Sequence, residues 1–183
     1  MSPRTHRRKA REVAMQAIFQ LEQNPSSTAG DIAMFVAESL KFPELEQFCK
    51  TIIHGTRENQ ARIDHAIADA TINWKVERMA AVDRAILRLS VYEMIISPEP
   101  TPPRVVITEA VEIAKRFSTN ESARFVNGIL DRVARMHDRA GDESPVGPMD
   151  SAAEETPSPT SNIPNESDAD EPGDPSPDPT SNS

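Results

Sequence analysis

The chain has 183 residues, a formal net charge of −9 and a single cysteine, which excludes an internal disulfide and a multi-thiolate metal site. No apolar run approaches the roughly 18 residues of a membrane span. The basic start lacks the apolar segment and cleavage site of a secretory signal, so a cytoplasmic location is expected.

The periodicity is helical nearly throughout. Ser2-Pro3 reads as an N-cap followed by proline at the first helical position. Ala10, Val13, Ala14, Ala17, Ile18 and Leu21 then recur at spacings of three and four, and Asn24-Pro25 ends that helix. A short second helix carries Ile32, Phe35, Val36 and Leu40. Pro43 opens a third, with Leu45, Phe48, Cys49, Ile52 and Ile53 as its stripe and an end near Gly55. Cys49 is expected to be a small buried hydrophobe. Ile63, Ala66, Ile67 and Ala70 mark a fourth helix, followed by a connection around Trp74.

The stretch VDRAILRLSVYEMII, residues 82–96, reads as one strongly apolar helix and the most buried element. Ser97 to Pro103, SPEPTPP, is expected to be an extended loop. The next helix holds Ala110, Ile113, Ala114 and Phe117. In STNE, either Ser118 with Glu121 forms a capping box or Asn120 is the cap. The last helix carries Phe125, Val126, Ile129, Leu130 and Val133. Gly128 inside it costs up to about 1 kcal/mol relative to Ala, which predicts a close backbone approach there. No hairpin signal competes. The fold class is therefore all-α, with about seven helices in residues 1–140.

Residues 141–183 have a different composition. They hold eleven acids, no Lys or Arg and nine of the 16 prolines, leaving residues 1–140 with 20 basic against 18 acidic side chains. This Pro/Ser-rich segment has too few large apolar residues to bury, so it reads as a disordered acidic tail. A flexible acidic chain is also expected to compete weakly with any polyanion for a basic surface.

Two polar regions stand out on the helical body. The first is the start of the first helix, where Arg4, Arg7, Arg8, Lys9 and Arg11 fall within eight residues. At about 100° per residue, Arg7 points with Ala14 and Arg11 with Ile18. The arginines therefore extend the direction of the apolar stripe rather than lying opposite it. They repel one another and oppose the helix dipole. Phosphates would relieve both penalties, which makes nucleic acid the favoured ligand beside an anionic protein or a plain solvated terminus.

The second region brackets the last helix start: Lys115, Arg116, Ser118, Thr119, Asn120, Glu121, Ser122 and Arg124. An acid such as Glu121 can accept from base amino groups, and Phe125 is a candidate stacking platform or a core residue. No catalytic or cofactor pattern appears. His6, His54, His65 and His137 show no ligand spacing with Cys49 or a carboxylate, and no phosphate loop or nucleophile motif is present. The chain is read as a non-enzyme without cofactor or metal.

Three blocks, RRKAREVAMQAIFQL (7–21), VDRAILRLSVYEM (82–94) and VVITEAVEIAKRFSTNESARFVNGILDRVA (105–134), together resemble the bacterial transcription antitermination factor NusB family. The resemblance covers about residues 4–138. It implies a compact helical fold of two small bundles. It also implies binding of the boxA segment of nascent RNA together with the ribosomal small-subunit protein NusE, inside an RNA polymerase complex that supports ribosomal RNA synthesis. Carried over by position, Arg7, Arg8, Lys9 and Arg11 match the arginine-rich RNA-binding start. Glu121, Ser122, Arg124 and Phe125 match the second RNA-contacting region. Phe19 and Asp83 fall where the family meets NusE. The alternative is a helical adaptor that forms a homodimer or binds ribosomal or transcription proteins without touching RNA.

Overall fold

The computed structural model describes residues 3–71 and 75–142, with side chains described for 6–71 and 75–139. The connection around Trp74, the Ser2 cap, the Arg4 side chain and nearly all of the acidic tail lie outside the described residues. Seven α-helices are present: α1 (Pro3–Gln23), α2 (Ala29–Ser39), α3 (Pro43–Glu58), α4 (Gln60–Ala70), α5 (Ala81–Val91), α6 (Pro103–Phe117) and α7 (Asn120–Asp142). No strand occurs among the described residues.

Local chemistry explains the boundaries. Pro43 and Pro103 sit at the first positions of α3 and α6, where a missing amide hydrogen costs nothing. At α2, Thr28 and Asp31 form a reciprocal capping box: the Asp31 amide donates to Thr28 Oγ1 at 3.2 Å and the Thr28 amide to Asp31 Oδ2 at 2.8 Å. The Thr28 amide and hydroxyl hold the Asp31 carboxyl below its usual range. A short 3-10 turn, Val76–Arg78, leads into α5.

Helix α5 is the hub. It packs against α1, α3, α4, α6 and α7, while α2 closes on α1 and α3. Eight of its eleven residues are buried, so it has no solvent face to reserve for polar groups. Its apolar residues meet Val13, Ala14 and Ala17 of α1, Ile52 of α3, Ile67 of α4, Ile113 of α6 and Leu130 of α7 in one core cluster. Cys49 lies in that core, and burial pushes its thiol up to about 12.

The expected single helix through Ile96 is interrupted. From Tyr92 to Ile96 the backbone widens into a π-helical turn, with the Ser97 amide donating to the Tyr92 carbonyl at 2.8 Å. The packing at this turn supplies a physical reason. Tyr92 is laid against Gly55 of α3, where an added Cβ would overlap the tyrosine ring. Its neighbour Glu93 reaches α1 instead. The close backbone approach expected at Gly128 is absent, and the glycine with a close neighbour is Gly55, which faces the Tyr92 ring. Gly128 is exposed, and outside its own helix nothing lies within 4 Å of the position a Cβ would take.

Candidate nucleic-acid interface

The basic start of α1 is sorted by partners inside the fold. Arg11 donates to both carboxylate oxygens of Glu93 at 2.7 and 2.8 Å, and both side chains are only 4% exposed. Arg8 does the same to the buried Glu109, at 2.6 and 3.1 Å, and this hydrogen bonding holds its guanidinium above the ordinary value. Glu12 is buried too and accepts from Arg116 at 2.7 and 2.8 Å. These pairs tie α1 to the π turn and to α6.

Arg11 is thus a structural cation, which corrects its expected place among the RNA-contacting residues. It extends the direction of Ile18 because it is inside, not because it overhangs the core. Arg8 is largely committed to Glu109 in the same way. The mutual repulsion expected among the arginines is relieved by Glu12, Glu93 and Glu109 rather than requiring an external anion. Arg7 and Lys9 remain outward. Arg7 is exposed, held over the Phe48 ring at 5.2 Å. Lys9 is 49% exposed, with Nζ 3.9 Å from Glu12.

The α6–α7 turn is also built differently from expectation. Thr119 is the cap, replacing both Ser118 and Asn120: its Oγ1 accepts from the Ser122 amide at 3.1 Å. The Ser118 hydroxyl donates to Ser122 Oγ at 2.8 Å, and the Ser122 hydroxyl donates to Asp83 Oδ2 at 2.8 Å. Asp83, in the first turn of α5, is buried, and its second oxygen has no hydrogen-bond partner. Asp83 is therefore not on the surface where a partner contact was expected; it anchors the start of α7 from below. Ser122 likewise spends its hydroxyl on this anchor. Phe19 is half-buried against the core.

Glu121 and Arg124 are among the outward side chains of the turn, with Phe125 half-buried against the core. Lys115 and Arg124 line one shallow hollow of about 390 Å³ together with Asn120 and Asn127. Lys115 also pairs with Glu112 at 2.9 Å, which holds that carboxyl below its usual range. Next to Lys115 in sequence, Arg116 is 62% exposed and meets Lys9 at the Glu12 carboxylate. The two polar regions, separate in the sequence, thus approach each other: Lys9 of α1 and Arg116 of α6 meet at Glu12, and Lys115 of α6 shares a hollow with Arg124 of α7. These cations face outward over a carboxylate layer that is already neutralised.

A second charged cluster ties other helices together. Arg88 donates to Asp64 at 2.7 Å and to Glu22 at 2.7 Å, and Arg84 donates to Glu22 at 2.9 Å. Burial works against the Arg88 charge, but its bonds to Asp64 and Glu22 more than offset this and raise its value. Glu22, Arg84 and Arg88 line a cleft of about 560 Å³ near the end of α1. Nothing in the sequence singled it out, and its buried Arg88 and half-buried Arg84 are paired. No group of His, Cys, Asp or Glu among the described residues could hold a metal. No described helix is long and apolar enough to cross a membrane.

Comparison with known proteins agrees with this organisation. The NusB family model matches residues 8–135. The transcription antitermination protein NusB of Bdellovibrio bacteriovorus is 43% identical over 133 residues, covering 73% of this chain and 98% of that protein. The protein of the same name from Bacillus subtilis is 40% identical over 129 residues, covering 69% and 93%. Among solved structures, T. maritima NusB superposes with a TM-score of 0.64 at 35% identity, covering 75% of this chain and 94% of its own. A NusB crystallised with NusE and double-stranded RNA has a TM-score of 0.65 at 22% identity, covering 72% and 98%, which supports the shared fold. With a family model spanning most of the helical body and relatives matched over nearly their full length, the chain belongs to the NusB family of transcription antitermination proteins, which are not enzymes.

Proposed function

We propose that the chain binds boxA-type single-stranded nascent RNA together with NusE, in the cytoplasm, and so supports ribosomal RNA transcription within an RNA polymerase antitermination complex. The observation that carries this is the set of outward cations on α1, α6 and α7: Lys9 and Arg116 meeting at Glu12, Lys115 and Arg124 sharing a hollow, and Arg7 over Phe48. Arg7, Lys9, Lys115, Arg116 and Arg124 supply backbone attraction. Glu121 and Phe125 at the far end supply base reading and stacking. The solved NusB that carries NusE and double-stranded RNA supports NusE and RNA as the classes of partner. Phe19 is the contact proposed for NusE, with Asp83 acting from inside on the α7 turn.

A filter-binding titration with boxA and scrambled RNA, with and without NusE, tests this. Five single-strand phosphate contacts at about 0.7 each give a log affinity against log salt slope near −3.5. Arg7→Ala with Lys9→Ala should weaken both RNAs together and flatten the slope. Glu121→Ala should mainly reduce the preference for boxA. A flat slope without sequence preference would instead identify a protein-only adaptor or a self-associating form.

A further inference from the structure

The cleft of about 560 Å³ near the end of α1 has the size of a small-ligand site. None of the cations proposed for RNA, Arg7, Lys9, Lys115, Arg116 or Arg124, lines it. Its inner surface is already neutral and fixed. Glu22 accepts from Arg84 on one oxygen and from Arg88 on the other, and Arg88 spends its remaining nitrogens on Asp64. Ile18 and Leu21 of α1 and Ile53 of α3 supply an apolar wall. Three lining groups are left over. Thr56 of α3 is 2% exposed, yet its Oγ1 has no hydrogen-bond partner. Buried hydroxyls are normally bonded, so an orphan in a cavity wall marks a place for an incoming group. Arg57 of α3 and Glu77 of the 3-10 turn are both exposed. Among the described residues neither of these side chains has an ion-pair or hydrogen-bond partner, so they do not pair with each other.

We propose that this cleft binds a small zwitterion, a free amino acid with an apolar side chain. Its carboxylate meets the Arg57 guanidinium, which offers a planar fork of donors to a carboxylate. The Thr56 hydroxyl donates to the same carboxylate. Its ammonium meets Glu77, and its side chain lies against Ile18, Leu21 and Ile53. The charge pattern selects this class. A simple anion would satisfy Arg57 and be repelled by Glu77, and a simple cation the reverse. A polyanionic strand would leave Glu77 opposed as well. A purely apolar ligand would leave the Thr56 hydroxyl without a partner. Only a molecule carrying both charges uses every group that the fold leaves unspent. The site is independent of the RNA reading, because it shares no residue with it.

The test titrates the full chain with each of the common free amino acids, read by thermal unfolding and by isothermal calorimetry. Acetate and methylammonium at matched ionic strength are the single-charge controls. A concentration of ten times the Kd should raise the melting temperature by about 4 °C for leucine or another apolar amino acid, and neither control should do so. Arg57→Met and Glu77→Gln replace exposed, unpaired side chains, so both should melt like wild type while each weakens the ligand about tenfold. Thr56→Val keeps the shape and removes the hydroxyl. It should melt at or above the wild-type temperature and bind the ligand about three- to tenfold more weakly. RNA affinity should be unchanged in all three variants. The proposal is overturned if no amino acid binds at about 10 mM, if acetate alone reproduces the shift, or if binding survives both charge replacements. Thr56→Val melting below wild type would also overturn it, by showing that the hydroxyl serves the fold. Loss of NusE or RNA affinity in Arg57→Met and Glu77→Gln, with amino-acid binding intact, would assign the cleft to a macromolecule instead.

Discussion

Replacing Arg11 should unfold the protein rather than release RNA. The Arg11–Glu93 pair has two short hydrogen bonds and almost no solvent access on either side. Arg11→Ala would leave the Glu93 carboxylate buried, with the Thr101 hydroxyl at 3.3 Å as its remaining side-chain partner. Removing one member of such a pair costs about 3–5 kcal/mol, because the survivor keeps its desolvation penalty without its counter-charge. A helical domain of this size loses roughly 3 °C of melting temperature per kcal/mol, so a fall of about 10–15 °C is expected.

Urea unfolding followed by circular dichroism at 222 nm measures the loss directly. The double replacement Arg11→Met with Glu93→Leu should recover most of it, since a well-packed apolar pair frequently matches a buried ion pair. RNA affinity of the single variant, measured at a temperature where it is folded, should stay within about twofold of wild type, less than the tenfold that a 1.4 kcal/mol contact would cost. An Arg11→Ala chain that melts like wild type but binds RNA poorly would refute the assignment, because it would mean that the guanidinium leaves Glu93 to meet phosphate.

Four other outcomes follow from the same contacts. Ser122→Ala removes the donor to buried Asp83, whose other oxygen already lacks a partner; calorimetry should show a loss of about 1–3 kcal/mol. Gly55→Ala drives a methyl into the Tyr92 ring, so denaturant titration should show about 1–3 kcal/mol of overpacking strain, relieved when Tyr92→Leu is added. The Cys49 thiol, buried and pushed up to about 12, should react with Ellman's reagent at pH 8 only as fast as the domain opens; a burst on mixing would contradict its burial. The Asp31 carboxyl is lowered by the Thr28 amide and then the Thr28 hydroxyl. Its contribution to the start of α2 is therefore complete above its ordinary value of 3.8 and fades as pH falls through its lower folded value; amide exchange in α2 should show that fading, and Asp31→Asn should abolish it.

The helices were legible because apolar spacing and proline carry their information locally. The three-and-four spacing of Val13, Ala17 and Leu21, Pro43 at the start of α3, and the unbroken apolar texture around Leu87 needed no knowledge of neighbours. The fate of each charged residue did need it. Arg11 was placed correctly on the side of Ile18, but a buried arginine and an overhanging one have the same helical angle. The discriminating signal lay in Glu93 and Glu109, acids on otherwise apolar faces, which serve as internal counter-ions. Glycine posed the same difficulty. Gly55 and Gly128 both interrupt helical stripes, and only the position of Tyr92 shows which of them makes room for packing. At the α7 start the sequence offered Ser118 or Asn120 as the cap, and the turn geometry selected Thr119 between them.

The internal pairing also changes what RNA is asked to do. A helix that begins with clustered arginines works against its own dipole and against mutual repulsion. Had those costs been relieved only by phosphate, the first turns of α1 would have to order on binding, and affinity would fall by the cost of that ordering. Here Glu93, Glu109 and Glu12 hold Arg11, Arg8 and Arg116 from within, so α1 is fixed before any ligand arrives. Arg7, laid over Phe48, and Lys9, poised beside Glu12, are then presented on a formed helix. Folding and RNA capture draw on different members of one basic cluster. This is why substitutions only four residues apart, at Arg7 and Arg11, should fail in opposite ways: one keeps the fold and loses the strand, the other keeps the strand-binding groups and loses the fold.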